Sequence, residues 1–217
     1  MIGADQIRSP WFDALPPPLR LAILASARTR QFDQGQWIYG EGDERAGLAA
    51  ILDGAVRLEV AVDADRTALI GLIQKGAVLG QSRSTGGGQR IVTARAARPS
   101  LILMLDDDAI SKIALTQPEI FGAINQLLYG QLDTVVRAMA QLLILSSRAR
   151  VAARLLSNAM DGRVFANQAD IAEMTAMSRK SVNGHLAALV QAGAIATYYG
   201  EIQIVDAARL TQIASQH

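Results

Sequence analysis

Cysteine is absent from this 217-residue chain, and histidine occurs only twice, as His185 and His217. The first absence excludes disulfides, thiolate metal sites, iron–sulfur clusters and thiol-based redox sensing. The second leaves no basis for a histidine-bound metal or a haem, so no metal site is expected. No apolar run approaches the length of a membrane span, and Met1–Asp5 does not read as the start of a signal peptide. The chain is therefore expected in the cytoplasm, with no membrane partner. There is no Ser-His-Asp or Cys-His set and no Gly-Lys-Ser/Thr phosphate loop, so no catalytic residue is assigned and no enzyme is expected. A strong charge of either sign is missing as well: 21 basic against 20 acidic residues leave a net +1. Non-specific affinity for a polyanion should be modest and salt-dependent.

What is present is a globular chain. Half of its residues are hydrophobic, and its length suffices for two modest domains with a sizeable core in at least one. The near-zero net charge hides a local excess. Residues 148–198 hold Arg148, Arg150, Arg154, Arg163, Arg179 and Lys180 against Asp161, Asp170 and Glu173. That segment is the one expected to meet phosphates.

The pattern from Asn167 to Asp206 reads as a winged helix-turn-helix. Asn167 caps a short helix running to Met174, with Ile171, Ala172 and Met174 inward. Thr175, Ala176 and Met177 turn the chain, and Ser178 caps a second helix, Arg179 to Gln191, with Val182, Leu186 and Leu189/Val190 at helical spacing. Gly193 ends it as a left-handed cap. Ile195–Tyr198 and Ile202–Val205 are strand-like, with Tyr199-Gly200-Glu201 turning between them as the wing. In such a unit the second helix enters the major groove. Ser178, Arg179, Lys180, Ser181, Asn183 and His185 occupy its first turns, and Asn167, Gln168 and the wing's Tyr199 flank them. These nine residues form the candidate DNA-binding set.

Upstream, residues 10–30 read as short helices around Pro16-Pro17-Pro18, with Trp11, Phe12, Leu15, Leu19 and Ile23/Leu24 as the apolar face. From Arg30 to Leu105 short β-runs punctuated by glycine predict an antiparallel barrel or roll. Asp107–Leu115 reads as a short helix. Pro118 opens a long one to about Ser146, striped by Ile120, Ile124, Leu127/Leu128, Leu132, Val135, Met139, Leu142 and Leu145. That seam has no evident partner within the chain and suits a parallel two-fold copy of itself. Arg148–Met160 reads as the first helix of the DNA-binding part. The fold class is thus α+β: a jelly-roll-like antiparallel β-roll (1–116), a central dimerisation helix (117–147) and a winged helix-turn-helix (148–217).

A glycine-punctuated roll, one long helix and a winged helix-turn-helix together resemble the Crp–Fnr family of bacterial transcription regulators. The likeness rests on Phe12-Asp13-Ala14-Leu15-Pro16, the turn glycines Gly35, Gly42-Asp43 and Asp53-Gly54, Arg150-Val151-Ala152-Ala153-Arg154-Leu155-Leu156, and Ser178-Arg179-Lys180-Ser181-Val182. The resemblance implies a homodimer that binds a palindromic operator in double-stranded DNA, and makes RNA polymerase a candidate partner. It also implies a nucleotide pocket, and there this chain departs from the family. Cyclic-nucleotide-binding relatives carry Gly-x-x-x-Gly-Glu, then a short helix, then Arg-Ser/Thr-Ala. The matching stretch here, Gly76 to Val92, places Arg90 at the phosphate arginine but has Gln81 for the glutamate and Ile91 for the hydroxyl residue. Val135-Val136 stands where cAMP-dependent relatives present Thr-Ser to adenine.

Gln81 as a neutral acceptor is weaker than a carboxylate, and Ile91 offers no hydroxyl. cAMP is therefore not expected as the ligand. Two readings stay open for Gly80, Gln81, Ser82, Arg83, Arg90, Ile91, Val135 and Val136: a site for another anionic effector, or a decayed pocket in which Arg90 pairs with an internal carboxylate. In the recognition helix, Lys180 and Gly184 replace the family's frequent glutamate and second arginine, so the operator is expected to differ from the usual consensus. The expected function is a sequence-specific transcription regulator responding to an effector other than cAMP. Its rivals are a constitutive regulator without a ligand and a sensing module acting through protein partners.

Overall fold

The computed structural model describes Ile7 and residues 9–215; His217 and the Met1–Asp5 segment lie outside the described residues. The chain divides into two compact units, residues 1–67 with 73–133, and residues 134–217 with the stretch 68–72.

The first unit holds the roll, apart from residues 68–72 of its fifth strand. Helices α1 (Pro10–Asp13) and α2 (Pro17–Ser26) each begin with proline, whose fixed φ suits a first helical turn. Eight strands follow: β1 (Arg28–Phe32), β2 (Trp37–Tyr39), β3 (Gly47–Asp53), β4 (Ala55–Ala61), β5 (Thr67–Gln74), β6 (Val78–Gln81), β7 (Thr93–Ala96) and β8 (Ser100–Asp106). They form two four-stranded sheets, ordered β1-β8-β3-β6 and β2-β7-β4-β5. The strands β3 and β8 lie at the centre of the first sheet and are apolar on both faces, because each face is covered. Leu48, Ala50, Leu52, Leu103 and Leu105 join Phe12, Leu15, Leu19 and Ile23 of the helices in one core. Their neighbours Ala49, Ile51 and Ile102 turn the other way, onto Phe32, Val56, Ala94 and Ala96. Helix α3 (Asp107–Ala114), capped by Asp106, adds Ile110 and Ile113 to the first core.

Helix α4 (Ile120–Ile144) contains the boundary between the units. Ile120 and Ile124, the first members of the predicted seam, are buried in the roll's core. Farther along, Leu132, Val135 and Met139 are 55%, 59% and 58% exposed.

The second unit contains α5 (Ser147–Ser157), the short β9 (Arg163–Val164), α6 (Gln168–Thr175), α7 (Arg179–Gln191), the hairpin β10 (Ile195–Tyr198) and β11 (Glu201–Ile204), and α8 (Ala207–Ala214). Its sheet runs β10-β11-β9. Val151 and Leu155 of α5, Ile171 of α6, Leu186 and Leu189 of α7 and Leu210 of α8 are buried in this unit.

Several sequence expectations need correcting. Arg28 and Thr29 belong to a strand, Arg28–Phe32, and not to the end of a helical region, because that strand pairs along its whole length with β8. Val78–Gln81 is also a strand, paired with β3, whereas the β-run that the sequence suggests over Ile91–Ala96 begins only at Thr93. The first helix of the second unit ends at Ser157 rather than Met160. Thr175 is still helical, its buried hydroxyl donating to the Ile171 carbonyl at 2.6 Å. The wing turn has two residues, Tyr199 and Gly200, because Glu201 already pairs with Tyr198. Val190 is largely exposed, leaving Leu189 as the inward member of that pair. The closing helix α8 and the wing strand β9 were not anticipated.

Candidate functional site

In the second unit the helix-turn-helix is fixed by two caps and one unusual backbone angle. Asn167 and Asp170 form a reciprocal capping box: the Asn167 side chain accepts from the Ala169 and Asp170 amides, and Asp170 accepts from the Asn167 amide. The helix stops at Ala176, which adopts the left-handed conformation with φ +54° and ψ +45°. The Met177 amide then donates back to the Ala172 carbonyl at 3.0 Å. Ser178 caps α7 by accepting from the Ser181 amide at 3.1 Å, and the two hydroxyls lie 2.9 Å apart. Arg150 braces the turn from α5, donating from Nη1 to the Thr175 carbonyl and from Nη2 to the Leu145 carbonyl. A cation on the carbonyl end of a helix is also favoured by the helix dipole.

This geometry sorts the nine candidate DNA-binding residues. Asn167, Ser178 and Ser181 are exposed, but their oxygens are engaged in capping. The side chains of Gln168, Arg179, Lys180 and Asn183 are exposed and make no hydrogen bond among the described residues, and Tyr199 stands fully exposed at the wing tip. His185 is half-buried on the same helix. Gly184 lies on the exposed side of α7, and a Cβ built on it would meet nothing within 4 Å.

The basic excess of residues 148–198 is mostly structural. Arg148 and Arg154 are half-buried, and burial pushes the Arg154 guanidinium below its usual pKa. Arg150 is committed to carbonyls, and Arg163 lies 3.5 Å from Glu201 across the wing. Only Arg179 and Lys180 of that set are exposed without a partner among the described residues. They sit in the first turn of α7, where unpaired amides and the helix dipole already favour an anion.

The roll's candidate pocket residues are brought together, but around one another. Gly80 has φ +118°, and a side chain there would collide with the Gly47 carbonyl, so glycine is required for β3 and β6 to approach. Beyond it, Gln81 donates its amide to the Gly88 and Gln89 carbonyls, both at 2.8 Å. Ser82 is fully buried and donates to Asp107 at 2.6 Å, while capping the short 3-10 turn Arg83–Thr85. Arg83 reaches the Glu44 carbonyl. Arg90 is 5% exposed, with Nε on the Arg45 carbonyl and Nη1 on the Gly47 carbonyl, each at 3.0 Å. Its guanidinium lies over the Tyr39 ring, 4.1 Å from the centroid. Burial lowers its pKa, opposed by Tyr39, Asp43 and Asp107 nearby.

The expected pairing of Arg90 with a carboxylate is therefore corrected: its hydrogen-bond acceptors are backbone carbonyls. Ile91 is 74% exposed and turned to solvent, and Val135 and Val136 lie exposed on α4. Tyr39 and Asp107 were not anticipated as members of this cluster. The run Asp106-Asp107-Asp108 carries a helix-start signal, but nothing in the sequence singles Asp107 out.

Comparison with known proteins agrees with both units. Residues 29–117 match the cyclic nucleotide-binding domain, and residues 149–213 match the Crp-like helix-turn-helix domain. Over 213 residues the chain is 24% identical to the CRP-like cAMP-activated global transcriptional regulator of Mycobacterium tuberculosis, covering 94% of this chain and 95% of that one. A solved CRP-family transcriptional regulator of Thermus thermophilus is 27% identical, with a TM-score of 0.68 over 86% of this chain and 97% of that one. FixK2 of Bradyrhizobium japonicum, 19% identical, shares the fold with a TM-score of 0.78, covering 88% of this chain and 98% of that one. With a cyclic-nucleotide-binding-like roll, a long helix and a Crp-like helix-turn-helix in that order, the chain belongs to the Crp–Fnr family of transcription regulators and is a DNA-binding transcription regulator.

Proposed function

We propose that this regulator works in the cytoplasm as a homodimer on a palindromic operator, each α7 lying in a major groove. The observation that carries the reading is the first turn of α7, where Arg179 and Lys180 are exposed and have no partner among the described residues. Arg179 reads guanine by a bidentate contact, and Lys180 meets guanine or a phosphate. Gln168, Asn183, His185 and Tyr199 supply the flanking contacts, while Asn167, Ser178 and Ser181 hold the two helix starts in place. The exposed apolar residues Leu132, Val135, Val136, Met139, Leu143 and Ile144 of α4 support pairing with a second copy. A helix of 25 residues is about 37 Å long, enough for an extended seam. RNA polymerase is a partner consistent with this role.

Action through protein partners alone is disfavoured by the same pair of cations, which such a scaffold has no need to present. The test is Arg179→Ala on the cognate site. We expect a loss of about 1–3 kcal/mol in specific binding, with weaker preference at one base pair of each half-site. Unchanged affinity and preference would remove Arg179 from the interface.

A further inference from the structure

The Mycobacterium relative is named as cAMP-activated, and the roll belongs to a fold that implies a cyclic nucleotide. Holding one requires a guanidinium and several amides free to meet the phosphate, with an acceptor for the ribose hydroxyl. The residues of this chain do not fit that need, because Nε and Nη1 of Arg90, the Arg83 guanidinium and most of the loop's amides are already bonded to the protein.

Arg90 is locked between the Arg45 and Gly47 carbonyls and the face of Tyr39. Arg83 is held by the Glu44 carbonyl, and Gln81 by Gly88 and Gln89. Six of the loop's amides are committed as well. Arg83 N donates to Asp107 at 3.2 Å, Ser84 N to the Ser82 hydroxyl at 3.2 Å, and Arg90 N to the Asp43 carbonyl at 2.9 Å. Thr85 N and Gly87 N both donate to the Ser82 carbonyl, and Gly86 N donates to Arg83. Gly87 is itself part of the closure, since a Cβ there would press on the Ser82 carbonyl at 2.7 Å. An anion entering this site would have to break the buried Arg90–Gly47 hydrogen bond and several exposed or partly buried ones, and exchanging one partner for another yields little net gain.

We infer that the roll is a ligand-free structural module in which Arg90 is a buried strut, tying the segment from Tyr39 to Gly47 onto the loop from Gln81 to Arg90. The glycines and the polar side chains of that loop close it from within. For the DNA-binding regulator proposed above, the consequence is DNA binding that needs no small molecule.

The test uses the full-length protein and no DNA, so it stands apart from the test of Arg179. Calorimetric titrations with cAMP, cGMP and inorganic phosphate, each to millimolar concentration, should give no saturable heat. The melting temperature should move by less than about 1 °C in each case. Arg90→Met should lower the melting temperature by about 5 °C or more in the absence of any ligand. Tyr39→Leu, which removes the ring but not the guanidinium, should lower it by less. Saturable binding of any of the three compounds, accompanied by a rise in melting temperature that Arg90→Met abolishes, would overturn the inference. So would an Arg90→Met protein that melts like the parent. If Arg90→Met does not fold, the titrations of the parent protein still decide.

Discussion

Ala176 is placed where an L-residue with a Cβ is least comfortable. Its φ of +54° ends α6 and aims the chain into Ser178, so the approach angle of the recognition helix depends on it. Left-handed backbone costs a non-glycine residue roughly 1–2 kcal/mol, against a smaller entropic penalty for glycine itself. Ala176 is exposed, so nothing is gained by burying its methyl group. Ala176→Gly should therefore stabilise the protein by about 0.5–1 kcal/mol, measured as a rise in the denaturation midpoint, with operator affinity kept. A fall in stability would mean that the turn is held by more than its backbone angle. At this scale the sequence was only partly legible. Capping by Asn167 and Ser178 follows from residue type and position, and both caps form. The partners of Arg90 could not be read, because carbonyls at Arg45 and Gly47 belong to backbone whose direction is set by pairing between distant strands.

Among the elements, α7 presents the opposite anomaly. Gly184 lies inside a 13-residue helix, has no positive φ and would meet nothing within 4 Å if it carried a Cβ. Glycine there costs about 1 kcal/mol relative to alanine with no return inside the protein. On the function proposed above, the return is expected outside it, in a closer approach of α7 to DNA. Gly184→Ala should raise the stability of the free protein by about 0.5–1 kcal/mol while weakening its binding to the operator, a split read by pairing denaturation with DNA titration. If both improve together, the glycine has no role at the interface. Legibility among the elements followed periodicity. Helices α4 and α7 have strong apolar spacing and were evident to within a few residues. Strand β1 was not, because Arg28, Thr29, Arg30 and Gln31 are all exposed and show no alternation; it is a strand only through its pairing with β8. A charged edge strand of this kind also resists pairing with other chains.

For the molecule as a whole, the order of roll, long helix and winged helix-turn-helix was readable because each part has its own sequence grammar. Whether the roll still takes a ligand was not readable. Gln81, Arg83 and Arg90 look equally suited to an anion or to internal bonds until their partners are known. With an exposed pair of cations on α7 and a roll closed by its own hydrogen bonds, the protein is expected to find its operator without help. The most direct measurement is selection of genomic DNA fragments by the purified protein with no nucleotide added, followed by sequencing of what is retained. Enrichment of a palindrome with half-sites about one helical turn apart is the expected result. No enrichment from the nucleotide-free protein, with a palindrome recovered only after a small molecule is supplied, would show that DNA binding depends on an effector.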